Sequence, residues 1–285
     1  MKDVIKFIYF SALAFAASLS YANDNEPTRL TWVSGSSEVK QYTLNDGATF
    51  GQLLDELIND PMSINWELTR LSSDMLTNKV ETERQALKRE LNDLIKHRKT
   101  NGDFSTVSAI ARLRDSLADV TLSGSYYLGV PFYSLRALRG ANPQLDEFEN
   151  NAKLTLTTFS SQMKANVRVL GAIEEVRDVE PHQRVIDVLN RLEFLEGAET
   201  DYIWLIRANG MLIRLPIRAY NATSAATCFN HNTKAPLINE PMSTGEECWP
   251  DNYVHEGDQI LIGLDGAEHL NLRVSHVLKH RVSLQ

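Results

Sequence analysis

Cysteine is scarce in this chain of 285 residues: Cys228 and Cys248 are its two thiols. So low a count excludes a disulfide-dense scaffold and a four-cysteine zinc module. An excess of basic charge is also missing. Lys and Arg number 29 against 37 Asp and Glu, for a net charge of −8, which excludes nucleic acid as a partner, because such binding relies on a basic surface. No polybasic segment is present to recruit anionic lipid. No glycine-rich loop has phosphate-binding spacing, and no Gly-x-Ser-x-Gly elbow occurs. No motif calls for a cofactor or a metal, and none is expected. Beyond the amino terminus, no apolar run approaches the roughly 20 residues of a membrane-spanning helix, so the mature chain is expected to carry no transmembrane segment.

What is present begins with a secretory pattern. Lys2 and Lys6 supply positive charge, Phe7 to Ala17 is an almost unbroken apolar run, and Ser20-Tyr21-Ala22 offers small residues at a peptidase site. Residues 1–22 therefore read as a signal peptide cleaved after Ala22, leaving a mature chain that starts at Asn23 in the periplasm. The cysteines agree with that compartment. Both lie in one stretch rich in Asn, Thr, Ser, Pro and Gly, and an even count there reads as a Cys228–Cys248 disulfide. Closing a loop of about twenty residues restricts the unfolded chain by roughly 3 kcal/mol.

Two stretches share one plan. In the first, Leu30 to Val33 and Val39 to Leu44 read as strands around a Gly35-Ser36 turn. After Asn45-Asp46-Gly47, residues Phe50, Leu53, Leu54, Leu57 and Ile58 recur at helical spacing. The second opens with strands at Val167 to Ile173 and Val176 to Val179. A helix with Val185, Val188, Leu189, Leu192 and Leu195 on its apolar face is expected next. Tyr202 to Ile206 and Met211 to Ile217 follow as a hairpin about Asn209-Gly210, and Gln259 to Leu264 closes the unit. A hairpin, a helix and further strands, twice over, describe two small sheets each gripping one helix, the β-grasp arrangement. Between them, Val80, Leu87, Leu91, Leu94 and Ile95 mark a charged helix. Thr100-Asn101-Gly102-Asp103 breaks it, and Val107, Ile110, Leu113 and Leu117 mark a second. This hairpin is expected either to cover an edge of the first sheet or to dock a partner. The tail from Glu268 has Leu270, Val274, Val277 and Leu278 at helical spacing, with His269, His276 and His280 predicted to face solvent.

Chemistry is harder to find. His276 and His280 share a helical face, but the metalloprotease pattern needs Glu directly after the first His, and Val277 stands there. Glycan cleavage needs two carboxylates across a cleft. Glu174-Glu175 with Asp178 and Glu180, and Glu246-Glu247 with Asp251, are the acidic clusters outside the helices, both in turns where acids serve solvation alone. Trp66, Tyr126, Tyr127, Phe132 and Tyr133 have rings able to stack on sugars, or to fill a core.

Over most of the mature chain, loosely at first and better from about Leu135 onward, the sequence resembles the GfcC-like capsule biosynthesis proteins of the bacterial periplasm. Arg136 before Asn142-Pro143-Gln144-Leu145, then Leu154 to Thr157, Val167 to Ile173, Tyr202 to Ile206 with Asn209-Gly210, Gly257 to Gly263 and Leu270 to Arg281 resemble that family's segments in order. Ser123-Gly124-Ser125 departs from the family's Thr-Gly-Arg, and the stretch from Thr227 to Pro250 resembles an insertion. The resemblance implies an α+β fold of two β-grasp domains. These are residues 23–163, with a helical hairpin inserted at about 79–119, and residues 164–266, followed by a C-terminal amphipathic helix over 267–285. It also implies a role in assembling or exporting surface polysaccharide, with the polysaccharide or its export machinery as partner. The expected function is that of a non-enzymatic accessory. A glycan-binding module using Arg136, Tyr126, Tyr127 and Tyr133, or a glycan-modifying enzyme, are the alternatives.

Overall fold

The computed structural model describes residues 29–34, 38–43, 63–118, 120–126, 153–218, 220–221, 223–229 and 246–282. Within them the chain is α+β, with two sheets and four helices. The expected signal peptide, the turn at 45–47, the helix at 50–58 and the Asn142 to Leu145 turn lie outside the described residues.

The first sheet comprises β1 (Arg29–Ser34), β2 (Glu38–Thr43), β3 (Arg70–Ser73), β4 (Ser125–Tyr126) and β5 (Lys153–Thr158), in the order β2-β1-β5-β3-β4. β1 runs parallel to β5, with Leu30 opposite Leu154 and Trp32 opposite Leu156. Leu154, Leu156 and Thr158 are buried while the residues between them are less so, the period-two alternation of a half-buried strand. The buried Trp32 indole donates to Thr158 Oγ1 at 3.1 Å, so its one polar atom is satisfied.

The second sheet is larger. β6 (Val167–Gly171), β7 (Arg177–Val179), β8 (Tyr202–Ile206), β9 (Leu212–Pro216), β10 (Ala226–Phe229), β11 (Glu246–Cys248) and β12 (Gln259–Ile262) lie in the order β11-β10-β9-β8-β12-β6-β7. β6 and β12 pair in parallel and the other neighbours antiparallel. The two sheets thus share a scheme. An opening hairpin lies beside the last strand, which runs parallel to the first and antiparallel to the third. β8, with Ile203, Trp204, Leu205 and Ile206 all buried, occupies the middle of the larger sheet. Gly171 ends β6 at φ +103°, and a Cβ there would stand 2.1 Å from the Ile262 carbonyl oxygen, so this close approach needs glycine.

Two helices leave the first sheet after β3 and return at β4. Ser73 caps α1 (Asp74–Thr100), its hydroxyl accepting from the Leu76 amide at 3.1 Å. Asn101 ends that helix, and α2 (Val107–Ala118) runs back. Leu76, Val80, Leu87, Leu91 and Ile95 face Ile110, Leu113 and Leu117 in the antiparallel hairpin that the spacing predicted. Its cover is different from the expected one. The hairpin's apolar face joins the core of the second sheet, where α2 packs on β6 and Ser116 Oγ accepts from the Gly171 amide at 3.0 Å.

The C-terminal helix, α4 (Glu268–Leu278), explains why. It lies against α1 and α2 on one side and β8 on the other, so both of its faces are covered. Asn271 exchanges two 2.8 Å hydrogen bonds with the Leu264 backbone, and a Cβ on Gly263 would meet that same side chain at 2.4 Å. Arg273 reaches Glu83 at 2.8 Å and Glu90 at 2.7 Å on α1. The expectation that the histidines face solvent is corrected for two of them. His276 and His280 are buried, and only His269 is exposed. An apolar stripe marks one covered face of a helix and cannot reveal a second cover. His280 Nδ1 accepts from the Ser125 amide of β4 at 3.0 Å, and burial holds its pKa well below the ordinary value. The second predicted helix is also shorter than expected. α3 covers Val185–Leu189 alone, because the chain then turns so that the Leu195 and Glu174 amides can pair with Ala172 and Glu193 carbonyls.

Lys279 is 7 % exposed, and burial pushes its pKa from 10.5 down to about 8. A lysine whose folded pKa is depressed costs stability in full below the folded value, and the cost disappears as pH rises towards the unfolded value. Stability should therefore rise between about pH 8 and 10.5 through this group. Lys279→Met is expected to stabilise the protein at pH 7 by up to about 3 kcal/mol and to gain less at pH 10, as urea melts of both proteins at the two pH values will show.

Candidate functional site

Arg207 follows the last residue of β8 and is drawn inward by two acids. Its Nη1 donates to Asp258 Oδ2 at 2.6 Å and to the Tyr253 carbonyl at 2.9 Å, and its Nη2 donates to Asp251 Oδ1 at 2.5 Å. Asp258 is buried and also accepts from the His255 and Ala208 amides, at 2.8 and 3.3 Å. Burial pushes its carboxyl up to about 6, against the opposing pull of Arg207. His255 Nε2 lies 2.8 Å from Asp251 Oδ2, and its Nδ1 lies 3.9 Å from Glu67 Oε1. Asn65 Nδ2 donates to Glu256 Oε2 at 2.9 Å. A cavity of about 220 Å³ opens over this cluster, lined by Glu67, Arg207, Asp251, His255, Glu256 and Asp258 among others.

The arrangement gathers carboxylates from the second unit with Glu67, which precedes β3 of the first sheet. Each acid has a partner inside the protein: Arg207 holds Asp251 and Asp258, Asn65 holds Glu256, and the imidazole stands beside Glu67. Both ring nitrogens of His255 face carboxylates, and the lining residues include no hydroxyl or thiol that an imidazole could activate. Geometrically this is a clamp, fastening the loop 251–258 to the end of β8 and to residues 65–67.

A second cavity, of about 250 Å³, lies on the far side of Pro250, between the start of α3, the end of β9 and residues 249–252. Cys228 and Cys248 are joined as expected, across the β10–β11 pair with Cα atoms 5.9 Å apart. Trp249 follows directly, 74 % exposed at the lip of this cavity.

The residues singled out from sequence are scattered. Tyr126 is half-buried on β4, its hydroxyl 3.1 Å from Ser73 Oγ at the cap of α1. Arg136, Tyr127 and Tyr133 lie outside the described residues. Glu174 and Glu175 lie in the exposed turn before β7, where Glu175 sits 3.9 Å from Arg177, while Asp178 belongs to β7 opposite Arg168 and Glu180 follows that strand. Glu247 is exposed, and Asp251 is drawn away to Arg207. Among the described residues no group of His, Cys, Asp and Glu is placed to hold a metal ion. Arg207, Asp258 and Trp249 escaped sequence reasoning. The one signal for the first two is polarity placed directly against apolar strands, Arg207 after Ile206 and Asp258 before Gln259-Ile260-Leu261-Ile262.

Residues 28–149 match the family model described as capsule biosynthesis GfcC, N-terminal. A comparison with curated proteins finds no match.

The clamp has a stability signature. Arg207→Ala leaves the Asp258 carboxylate buried without its cation and should cost about 3–5 kcal/mol, whereas Glu67→Gln, a partly exposed change, should cost under about 0.5 kcal/mol. Chemical denaturation of the two variants separates these outcomes.

Proposed function

We propose that this chain, which belongs through residues 28–149 to the GfcC-like capsule biosynthesis family, is a non-enzymatic accessory to the assembly or export of capsule or exopolysaccharide outside the cytoplasm. The family match is the observation that carries the reading. Family membership suggests an extracytoplasmic setting and the envelope polysaccharide machinery as partner, in keeping with the signal-like residues 1–22. No helix of the described residues is long and apolar enough to cross a membrane. We read the shared strand scheme of the two sheets as a pair of β-grasp units, and the helices between β3 and β4 as an insertion in the first.

The accessory role draws its support from what the acids do. Asp251 and Asp258 are engaged by Arg207 and Glu256 by Asn65, and the acids in and around β7, Glu174, Glu175, Asp178 and Glu180, are exposed. An exported chain is also out of reach of cytoplasmic sugar nucleotides. Its assets are surfaces held rigidly by a large shared core. A glycan-binding contribution has one specific observation in its favour, the exposed indole of Trp249 at a cavity lip.

A deletion strain should lose surface polysaccharide while repeat-unit synthesis continues. Complementation with Glu67→Gln, Glu256→Gln or Glu174→Gln/Glu175→Gln should restore it to the wild-type level. Loss of surface polysaccharide from one such variant, in protein that remains folded and abundant, would convert the reading to an enzyme.

A further inference from the structure

We propose that the cavity beside the Cys228–Cys248 bridge is a subsite for one ring of an acidic glycan, with Trp249 stacking on the sugar face and Arg184 pairing with its anionic substituent. The proposal rests on the polysaccharide reading above and adds to it a ligand class and a place. Trp249 is the first reason. Single exposed apolar residues are ordinary on protein surfaces, but this indole is 74 % exposed, stands at the edge of a cavity of about 250 Å³, and makes no hydrogen bond or ring contact among the described residues. Its backbone is fixed on both sides: Cys248 is paired to Ala226 and bonded to Cys228, and Pro250 follows. A large ring held in water by a cross-linked strand end loses little freedom on binding, which is the condition for a stacking platform. Beneath it, Val185, Leu215 and Ala226 form a buried apolar floor, and Ile186 remains 38 % exposed.

The polar lining selects the ligand. Among the described lining residues Arg184 is the charged one and no acid is present, and its guanidinium makes no ion pair among the described residues. In a chain of net charge −8 that local cation is the exception, and a guanidinium's paired donors match a carboxylate. Asn252 and Ser224 complete the set, both exposed and neither side chain engaged in a hydrogen bond among the described residues, ready to exchange bonds with ring hydroxyls. Arg184 is placed opposite residues 252–253 by backbone pairing: it bridges Tyr253, and the Val185 amide donates to the Asn252 carbonyl at 2.9 Å. An apolar wall, a few unsatisfied polar groups and one charge are the composition of a small-ligand site. The volume accommodates a single ring, so affinity per site is on the order of millimolar, and a polymer gains by presenting many rings.

The test uses the full mature, oxidised protein, with hexa-galacturonate as the acidic probe and maltohexaose as the neutral one, followed through tryptophan indole N–H resonances. The Trp249 resonance should shift, and the acidic probe should bind about tenfold more tightly than the neutral one. Trp249→Ala should lose both ligands and Trp249→Phe should keep them. Arg184→Gln should erase the acidic preference while leaving neutral binding in place. All three changes are at exposed positions, so unchanged melting curves will certify the fold. No shift with either probe, wild-type affinity in Trp249→Ala, or a preference that survives Arg184→Gln would each overturn the subsite. If the deletion strain loses surface polysaccharide and Trp249→Ala restores it, the subsite fails and the accessory role stands. If deletion has no effect while the probes bind as described, the accessory role fails and the subsite stands.

Discussion

Helix α4 and the residues that follow it join the helical hairpin to both sheets. Arg273 binds Glu83 and Glu90 of the helical hairpin, Asn271 is locked into the Leu264 backbone, and Gln259 of β12 donates to the Leu278 carbonyl at 3.0 Å. Past the helix, the Ser123 amide donates to the His280 carbonyl, the Val282 amide donates to Thr121, and Arg70 of β3 donates to the Arg281 carbonyl at 2.6 Å. Residues 280–282 are therefore bonded to β3, to β4 and to the segment leading into β4, while the helix before them is buried on the second sheet. This one tie places the hairpin over the larger sheet and makes a common core of elements far apart in sequence.

Such a tie carries a desolvation cost. His276, Lys279, His280, Arg281 and Arg70 crowd the same end, and burial depresses the pKa of each. The cations Lys279, Arg281 and Arg70 lose hydration there, and the Nδ1 atom of His276 is buried with no hydrogen-bond partner among the described residues. What holds them is the apolar burial of Leu272, Val274, Val277 and Leu278 together with the Arg273–Glu83 pair, whose side chains are 10 % and 9 % exposed. Buried ion pairs contribute little net stability but strongly disfavour any arrangement that separates them. Arg273 thus fixes which way α1 lies on α4. The Arg207–Asp258 pair applies the same logic to the loop below β8.

Alternation exposed β1, and helical spacing both hairpin helices, because each has one covered face and one wetter one, whereas β8 and β12, buried throughout, were legible as continuous apolar runs. Cys228 and Cys248 were legible from compartment and loop composition. The assignments that failed were those depending on a second cover. His276 occupies the polar flank of the α4 stripe, and His280, which helical spacing would place on the same flank, falls just past the end of α4 against Ser125 of β4. The hairpin's own destination was hidden for the same reason, since an apolar face does not name the face it meets. Leu192 and Leu195 continue the spacing of Val185 and Val188, yet backbone pairing with residues 172–174 takes them out of the helix. The polar cluster joins residues near 67, 207 and 255, and the Trp249 cavity joins 184, 215 and 249; no local pattern connects such separations.

For a protein whose proposed work is to hold and present surfaces, rigidity between its parts matters more than any single reactive group. The C-terminal segment is expected to weld both sheets and the hairpin into one cooperative unit. Native-state hydrogen exchange tests it most directly, by comparing amides of β5, α1 and β8 across a series of low denaturant concentrations. If the weld is real, all three elements open with the same free energy and the same denaturant dependence. Exchange of β5 or α1 through a smaller, earlier opening while β8 stays protected would contradict it.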